Sequence, residues 1–226
     1  MIIAIDGPSG AGKSSIAKIV AKKLGFSCLD TGAMFRAIAV LALEKGVSLE
    51  DEASLGNLAR NCEIEFKTKN DESGDSSTSI VLIDGIDVTK KIRTAEIDKA
   101  VTPVSKAAPV RDAMLDQQRR IGNAGNFVVE GRDIGSVVFP NAELKIFLTA
   151  TPEERAHRRL RQNADRNVGS VDYDEVLADI IRRDEADSTR KTAPLVVSDG
   201  AIVIDSTSDY IEDVIDRICE LAKERM

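Results

Sequence analysis

The sequence has little of what builds a crosslinked, metal-held or membrane-bound protein. Its three cysteines, Cys28, Cys62 and Cys219, are odd in number, far apart and free of Cys-x-x-Cys spacing. They exclude a disulfide framework and a cysteine zinc site, and they fit a reducing, cytoplasmic compartment. The single histidine, His157, sits among arginines and reads as a surface residue rather than a general base. No stretch approaches the roughly 20 apolar residues of a membrane span, so no membrane partner is expected. The opening Met1-Ile2-Ile3-Ala4-Ile5-Asp6 lacks a basic segment and meets charge early, which predicts a buried strand and not a secretory signal. Positive charge is also in deficit. The formal net charge of −7 speaks against a nucleic-acid partner, so any phosphate site must be local.

What is present is the material of one soluble domain. The 226 residues suit a single core with smaller inserted lobes, expected as a monomer. Short apolar runs alternate with segments of helical period: Ile2 to Asp6 then Gly12 to Leu24, Ser27 to Asp30 then Ala33 to Lys45, Phe127 to Glu130, Leu144 to Thr149 then Pro152 to Arg161, and Ile202 to Asp205 then Tyr210 to Lys223. Such alternation predicts an α/β fold, a parallel sheet with helices on both faces and its ligands at the carboxyl ends of the strands. From Glu63 to Val88 the period changes to alternation, with Asp84-Gly85 as a hairpin signal, and this reads as an inserted antiparallel lobe. The polar run Asn70 to Ser77 reads as a solvated loop tip.

Gly7-Pro8-Ser9-Gly10-Ala11-Gly12-Lys13-Ser14 matches G-x-x-x-x-G-K-[ST], with an apolar strand before it and Ile16, Ile19, Val20 and Leu24 at helical spacing after it. Glycines let successive N–H groups point inward as an anion nest, and the following helix adds its positive end. In this P-loop, Lys13 is expected to bridge the β- and γ-phosphates of ATP and Ser14 to place its hydroxyl on Mg²⁺. A P-loop alone leaves kinases, switch GTPases, nucleic-acid motors and transporter ATPases open. No Asn-Lys-x-Asp guanine-reading motif follows, which counts against the GTPase reading.

Arginines narrow the choice. Thr151-Pro152-Glu153-Glu154 is a capping box, so a helix begins there carrying Arg155, Arg158, Arg159 and Arg161 and running into a loop at Asn163 to Gly169. Arginines at the rim of a loop suit a lid that brings cations to a charge-dispersed phosphoryl group; a solvated face paired to Glu153 and Glu154 is the competing reading. A second helix starting near Asp172 puts Arg183, Asp187 and Arg190 on one face if it persists that far. Gly131-Arg132-Asp133-Ile134-Gly135 follows a buried strand, and Asp30-Thr31-Gly32 ends another and precedes Arg36. Arg36, Arg132 and Arg190 are thereby candidates for one phosphate, and Thr31 and Asp133 for a base.

These segments, with Ile92-Arg93-Thr94, Val110-Arg111, Glu153-Glu154-Arg155-Ala156-x-Arg158-Arg159 and Arg183-Asp184-x-x-Asp187-Ser188-x-Arg190-x-x-Ala193-Pro194-Leu195, occur in an order that resembles the bacterial cytidylate kinases over nearly the whole chain. The resemblance implies a P-loop NTPase-type fold: core 1–30 and 109–226, an acceptor-binding lobe of about 31–108 with a β insert of about 63–88, and a small lid of about 158–170. It implies Mg²⁺-assisted transfer from ATP to CMP or dCMP, with UMP or AMP as alternative acceptors and a non-catalytic nucleotide-binding module as the rival class. ATP would lie on Gly7, Pro8, Ser9, Gly10, Ala11, Gly12, Lys13, Ser14 and Ser15. Thr31, Arg111 and Asp133 would read cytosine, Arg183 and Asp187 the ribose, and Arg36, Arg132 and Arg190 the acceptor phosphate. Lys13, Arg132, Arg158 and Arg190 would be catalytic. Two positions depart from the family pattern: Phe35 stands where tyrosine is frequent, and Glu130 where aspartate commonly precedes Gly-Arg-Asp.

Overall fold

The computed structural model describes residues 1–70, 77–166 and 168–226. Residues 71–76 of the expected loop tip, and Asn167 of the expected lid, lie outside the described residues. The chain divides into two compact units, Met1–Asp30 with Arg119–Met226, and Thr31–Gln118.

The first unit is built on a five-stranded parallel sheet. Its strands are β1 (Ile2–Asp6), β2 (Ser27–Asp30), β6 (Phe127–Gly131), β7 (Leu144–Thr149) and β8 (Ile202–Asp205), in the spatial order β2-β6-β1-β7-β8. Helix α1 (Lys13–Leu24) and helix α8 (Ile211–Lys223) cover one face. There Ile16, Val20, Val214, Ile215 and Ile218 pack on Ile3, Ile5, Val128, Leu144, Ile146 and Leu148. Ala4 and Val129, which alternate with these residues, are also fully buried, so both faces of the sheet are covered, as parallel strands require. Truncating Ile5 or Ile146 to alanine would cost about 2–5 kcal/mol by loss of contacts and cavity formation. The parallel register aligns Asp6 with Gly131, Asp30 with Glu130 and Thr149 with Asp205, so the polar strand ends share one edge. The chain turns to opposite sides of β1, first to β2 and later to β7, and this switch point lies at the P-loop.

Two further helices of this unit, α6 (Pro152–Arg166) and α7 (Tyr173–Thr189), pack through Ala156, Leu160, Val176 and Ile180. The Thr151 hydroxyl accepts the Glu154 N–H at 3.3 Å and the Asp172 carboxylate accepts that of Glu175 at 2.9 Å, as the capping signals predict. Helix α6 continues to Arg166, past the loop expected from Asn163. Asn163 is buried, its Nδ2 donates to the Ser170 carbonyl at 2.7 Å and its carbonyl accepts from Val168, so a side chain with turn-forming chemistry is used to close the helix and not to end it early.

The second unit holds α2 (Thr31–Glu44), α3 (Glu52–Arg60), strands β3 (Ile64–Asn70), β4 (Ser77–Ile83) and β5 (Ile86–Asp87), α4 (Ala95–Lys106) and α5 (Ala108–Gly122), the last helix passing into the first unit at Arg119. Strands β3, β4 and β5 form an antiparallel sheet in that order. Asp84 and Gly85 adopt φ of 50° and 77°, the left-handed pair that a two-residue hairpin needs. Helix α2 begins at Thr31, two residues before the expected start, so Thr31 is its first residue and is buried.

Candidate active site

The P-loop connects β1 to α1 and takes the conformation its glycines allow. Gly7, Gly10 and Gly12 have φ of 148°, 80° and 95°, and a Cβ on Gly7 would stand 1.9 Å from the Leu148 carbonyl oxygen. Helix α1 has no side-chain cap and no acidic residue in its first turn. Its first N–H groups and its dipole therefore face the loop, as an anion site requires. The loop's carbonyls are turned to protein donors. The Lys13 ammonium donates to Pro8 at 2.7 Å, Arg155 Nη1 to Ser9 at 3.0 Å, and the Ser206 hydroxyl to Ala11 at 3.3 Å.

Buried charge surrounds the loop. Burial, then the nearby Arg132 cation, hold the Lys13 ammonium well below its ordinary range. Burial pushes Glu130, at the end of β6, up to about 7, with Asp30 adding to the rise while Lys13 and a hydrogen bond from the Ser14 hydroxyl oppose it. Asp6 is pushed up to about 6, again by burial, although its carboxylate accepts the Ile134 and Gly135 N–H groups at 2.7 Å each. Those two residues open a single π-helical turn, Ile134–Val138, directly after Arg132-Asp133. Asp6 thus fixes where that pair stands.

Arg132, Asp133, Asp187 and Arg190 are brought together. Arg132 Nε donates to Asp187 Oδ2 at 2.8 Å, Arg190 Nη1 stands 3.8 Å from Asp187 Oδ1, and Arg190 Nη2 is 3.5 Å from Asp133 Oδ1. Burial alone would raise the Asp187 carboxyl, but Arg132, Arg183 and Arg190 overcome it and hold the carboxyl below its usual range. Helix α7 ends at Thr189, so Arg190 is not on its last turn. Its Nε instead donates to the Ala193 carbonyl at 2.6 Å, and Ala193 has a left-handed φ of 51°. The strained turn aims the guanidinium at both carboxylates.

Arg158 lies elsewhere in this unit. It donates to Glu154 at 2.9 Å, to the Ser206 hydroxyl at 3.1 Å and to the Ser206 carbonyl at 2.5 Å, with Nη1 3.5 Å from the Ala11 carbonyl. It stands beside the P-loop at the end of β8, half-buried and not at a solvated lid tip. His157 is exposed and its ring meets Tyr173 at 4.8 Å. In the second unit Arg36 is ion-paired with Asp98 and reaches the Ile92 carbonyl at 3.3 Å. Arg111 donates to the Ser105 carbonyl at 3.1 Å, and its guanidinium carbon lies 5.3 Å from the centre of the Phe35 ring.

Sequence reasoning assigns no role to Asp6, Asp98, Asp184 and Ser206, and it counts Arg155 among the lid arginines, whereas Arg155 is buried against the P-loop. For Arg155 and Asp184 the signal was there, inside short charged motifs, but spacing does not distinguish a buried pair from a solvated one. Ser206 offered none. Among the described residues no three His, Cys, Asp or Glu side chains form a metal cluster, and no helix is long and apolar enough to cross a membrane. The three thiols are free, and burial pushes Cys28 up to about 12 and Cys62 to about 11, which keeps them unreactive.

Comparison with known proteins adds a family to this geometry. The profile of the cytidylate kinases matches residues 3–224. The chain is 47% identical over 226 residues to a cytidylate kinase of Citrifermentans bemidjiense, covering 100% of this chain and 94% of that one. It is 43% identical over 218 residues to one of Clostridioides difficile, covering 96% of each. Among solved structures, a shikimate kinase from Bacteroides thetaiotaomicron aligns with a TM-score of 0.50 at 15% identity, over 99% of this chain and 98% of that one. An uncharacterized protein from Eubacterium ventriosum aligns with a TM-score of 0.51 at 13% identity, over 100% and 99%. At these identities the structural likeness speaks to the fold, which is that of P-loop kinases.

Proposed function

Because the chain belongs to the cytidylate kinase family, we propose that it transfers the terminal phosphoryl group of ATP to CMP and dCMP, releasing ADP and the nucleoside diphosphate. The observation that carries the reading is the joint presence, on one sheet edge, of a P-loop cradle and the Arg132, Asp187, Arg190 and Asp133 cluster. A phosphoryl group in transit spreads charge over its equatorial oxygens, so catalysis here is positioning and electrostatics. Gly7 to Ser15 hold the donor phosphates. Lys13 exchanges its Pro8 carbonyl for the β- and γ-oxygens. Arg36, Arg132 and Arg190 are assigned to the acceptor phosphate, which is already anionic and needs no general base. Arg183 and Asp187 take the ribose; Thr31, Arg111 and Asp133 read cytosine. Arg158 contributes charge from beside the loop. In this reading the unit Thr31–Gln118, against the expected 31–108, is the acceptor lobe, and residues of about 158–170 are the lid.

The Ser14 hydroxyl and the Glu130 carboxylate are hard oxygen donors in contact at the loop, and together they fit Mg²⁺. When bound there, Mg²⁺ would neutralise phosphate charge and favour the ionised form of Glu130. Acting on small nucleotides, the protein is read as a cytoplasmic monomer, in keeping with its net charge of −7.

Coupled measurement of ADP release over CMP, dCMP, UMP and AMP tests the proposal. Acceptor-dependent release with CMP and dCMP ahead is expected. A preference for AMP, or release indifferent to acceptor, overturns it.

A further inference from the structure

Of the charged donors that meet the P-loop carbonyls, Arg155 has no role in the reading above. Arg155 is 3% exposed, and its guanidinium is directed entirely to protein acceptors: Nε to the Ala150 carbonyl at 2.9 Å, Nη1 to the Ser9 carbonyl at 3.0 Å, and Nη2 to Asp184 Oδ2 at 2.6 Å. The loop is moulded on it as well. A Cβ on Gly10 would lie 3.1 Å from Arg155 Cβ. Asp184 answers this cation alone, because its other oxygen, Oδ1, is buried and has no hydrogen-bond partner among the described residues. One ion pair, its cation buried and its carboxylate half-buried, therefore joins three pieces of the first unit: the end of β7, the P-loop and helix α7.

An anion nest works only while its N–H groups point in and its carbonyls point out. The Ser9 carbonyl needs a donor outside the cradle, and a planar fork fixed by two other bonds supplies one at a set position. A cation enclosed in this way cannot serve as the mobile charge that arrives in the transition state. We propose that Arg155 is a positioning residue for the donor nucleotide, anchored by Asp184, which holds the Ser9 carbonyl outward without touching the substrate. The inference rests on the reading of Gly7 to Ser14 as the ATP site. It separates Arg155 from Arg158 and Arg159, which share its helix and motif. It also gives Asp184 a task distinct from those of Arg183 and Asp187 on the same helix.

The test compares Arg155→Lys, Asp184→Asn and the double variant with the unaltered protein. Mg-ADP binding is read by calorimetry without acceptor, and kcat and the KM for CMP by steady state. Thermal melting confirms folding; Asp184→Asn, on a side chain 26% exposed, keeps the test open if Arg155→Lys is unstable. Each single change is expected to weaken ADP binding about tenfold, the scale of one charged hydrogen bond. The double variant should be no worse than about twofold beyond either single variant, and the KM for CMP should stay within about twofold. Losses that multiply in the double variant overturn the proposal, as does unchanged ADP binding in Asp184→Asn. A fall in kcat with unchanged ADP affinity would instead make Arg155 a direct transition-state cation. Failure of the unaltered protein to bind ADP would sink the ATP-site reading itself.

Discussion

The Arg132 guanidinium donates from Nε to the Asp187 carboxylate at 2.8 Å, joining the end of β6 to the last turn of α7 across 55 residues of sequence. Both side chains are largely buried, and Arg190 shares the same carboxylate. Removing one partner of such a group leaves the others charged and uncompensated, at a cost of about 3–5 kcal/mol.

Asp187→Ala is therefore expected to lower the melting temperature and raise the KM for CMP, with ADP binding little changed. The pH dependence follows from the direction of the shift. The folded carboxyl titrates below its ordinary value of 3.8, so its contribution is present above that value and is lost as pH falls through the lower folded one. The gap in melting temperature should then hold steady from about pH 5 to 8 and close in stronger acid. Equal losses of ADP and CMP affinity would contradict the placement.

Lys13 makes the opposite case, a residue whose burial opposes stability. Its folded ammonium is held well below 10.5 by burial and by Arg132. The unfolded chain thus holds that proton more firmly, and below 10.5 the lysine costs the fold stability. Lys13→Met should abolish transfer, since charge between the β- and γ-phosphates goes unneutralised, a loss of several kcal/mol in the barrier. It should melt at or above the temperature of the unaltered protein. Turnover near the normal rate in the folded variant would sink the role; a large drop in melting temperature would show that the lysine supports the fold.

The parallel sheet and the P-loop were legible because each strand is a short continuous apolar run and each glycine answers a local demand on φ. The antiparallel insert was legible through alternation and Asp84-Gly85. Helices α3, α4 and α5 were not: α4 carries Pro103 in its last turn, and a proline past the first turn discourages a helical reading. The end of α6 was misplaced because Asn163 reads as a turn residue until its buried amide is seen bonded to Ser170. At the site, motif and spacing located Arg132, Asp187 and Arg190 but could not show that Asp6, at the end of β1, holds in place the turn that follows Arg132 and Asp133 after β6. That link is a bond from the Ile134 N–H to the Asp6 carboxylate over 128 residues, which no local pattern encodes.

Asp6 carries its own signature in pH. Its folded carboxyl is raised to about 6 by burial, while the unfolded one titrates near 3.8. Between those values the native state binds more proton, so the contribution present at lower pH is lost as pH rises through about 6. The amount is up to roughly 3 kcal/mol. Urea denaturation of the unaltered protein and of Asp6→Asn across pH 4 to 7 isolates it, because the remaining carboxyls titrate in both. The stability advantage of the unaltered protein should shrink by that amount as pH rises. A difference independent of pH would mean that Asp6 titrates normally in the fold.

Phe35 bears on the reading of the base. Its ring lies 5.3 Å from the Arg111 guanidinium carbon, and Arg111 also reaches the Ser105 carbonyl at 3.1 Å. Both side chains are 8% exposed, so the cation rests on an aromatic face with little water around it. That contact is worth about 0.5–2 kcal/mol, enough to keep a long, flexible arginine in one rotamer before substrate arrives. The tyrosine frequent at this position in the family would keep the same ring face, so the feature that positions Arg111 is the ring and not a hydroxyl. Phe35→Tyr should accordingly leave kcat/KM for CMP within about threefold, provided its hydroxyl finds a partner. Phe35→Leu removes the ring while keeping much of the apolar volume, and the lost contact predicts a rise in the KM for CMP of about threefold to thirtyfold, with the KM for ATP unchanged. Steady-state kinetics of both variants at saturating ATP decides the matter. If Phe35→Leu matched Phe35→Tyr, the stacked ring would be packing only, and Arg111 would be held in place by its polar contacts.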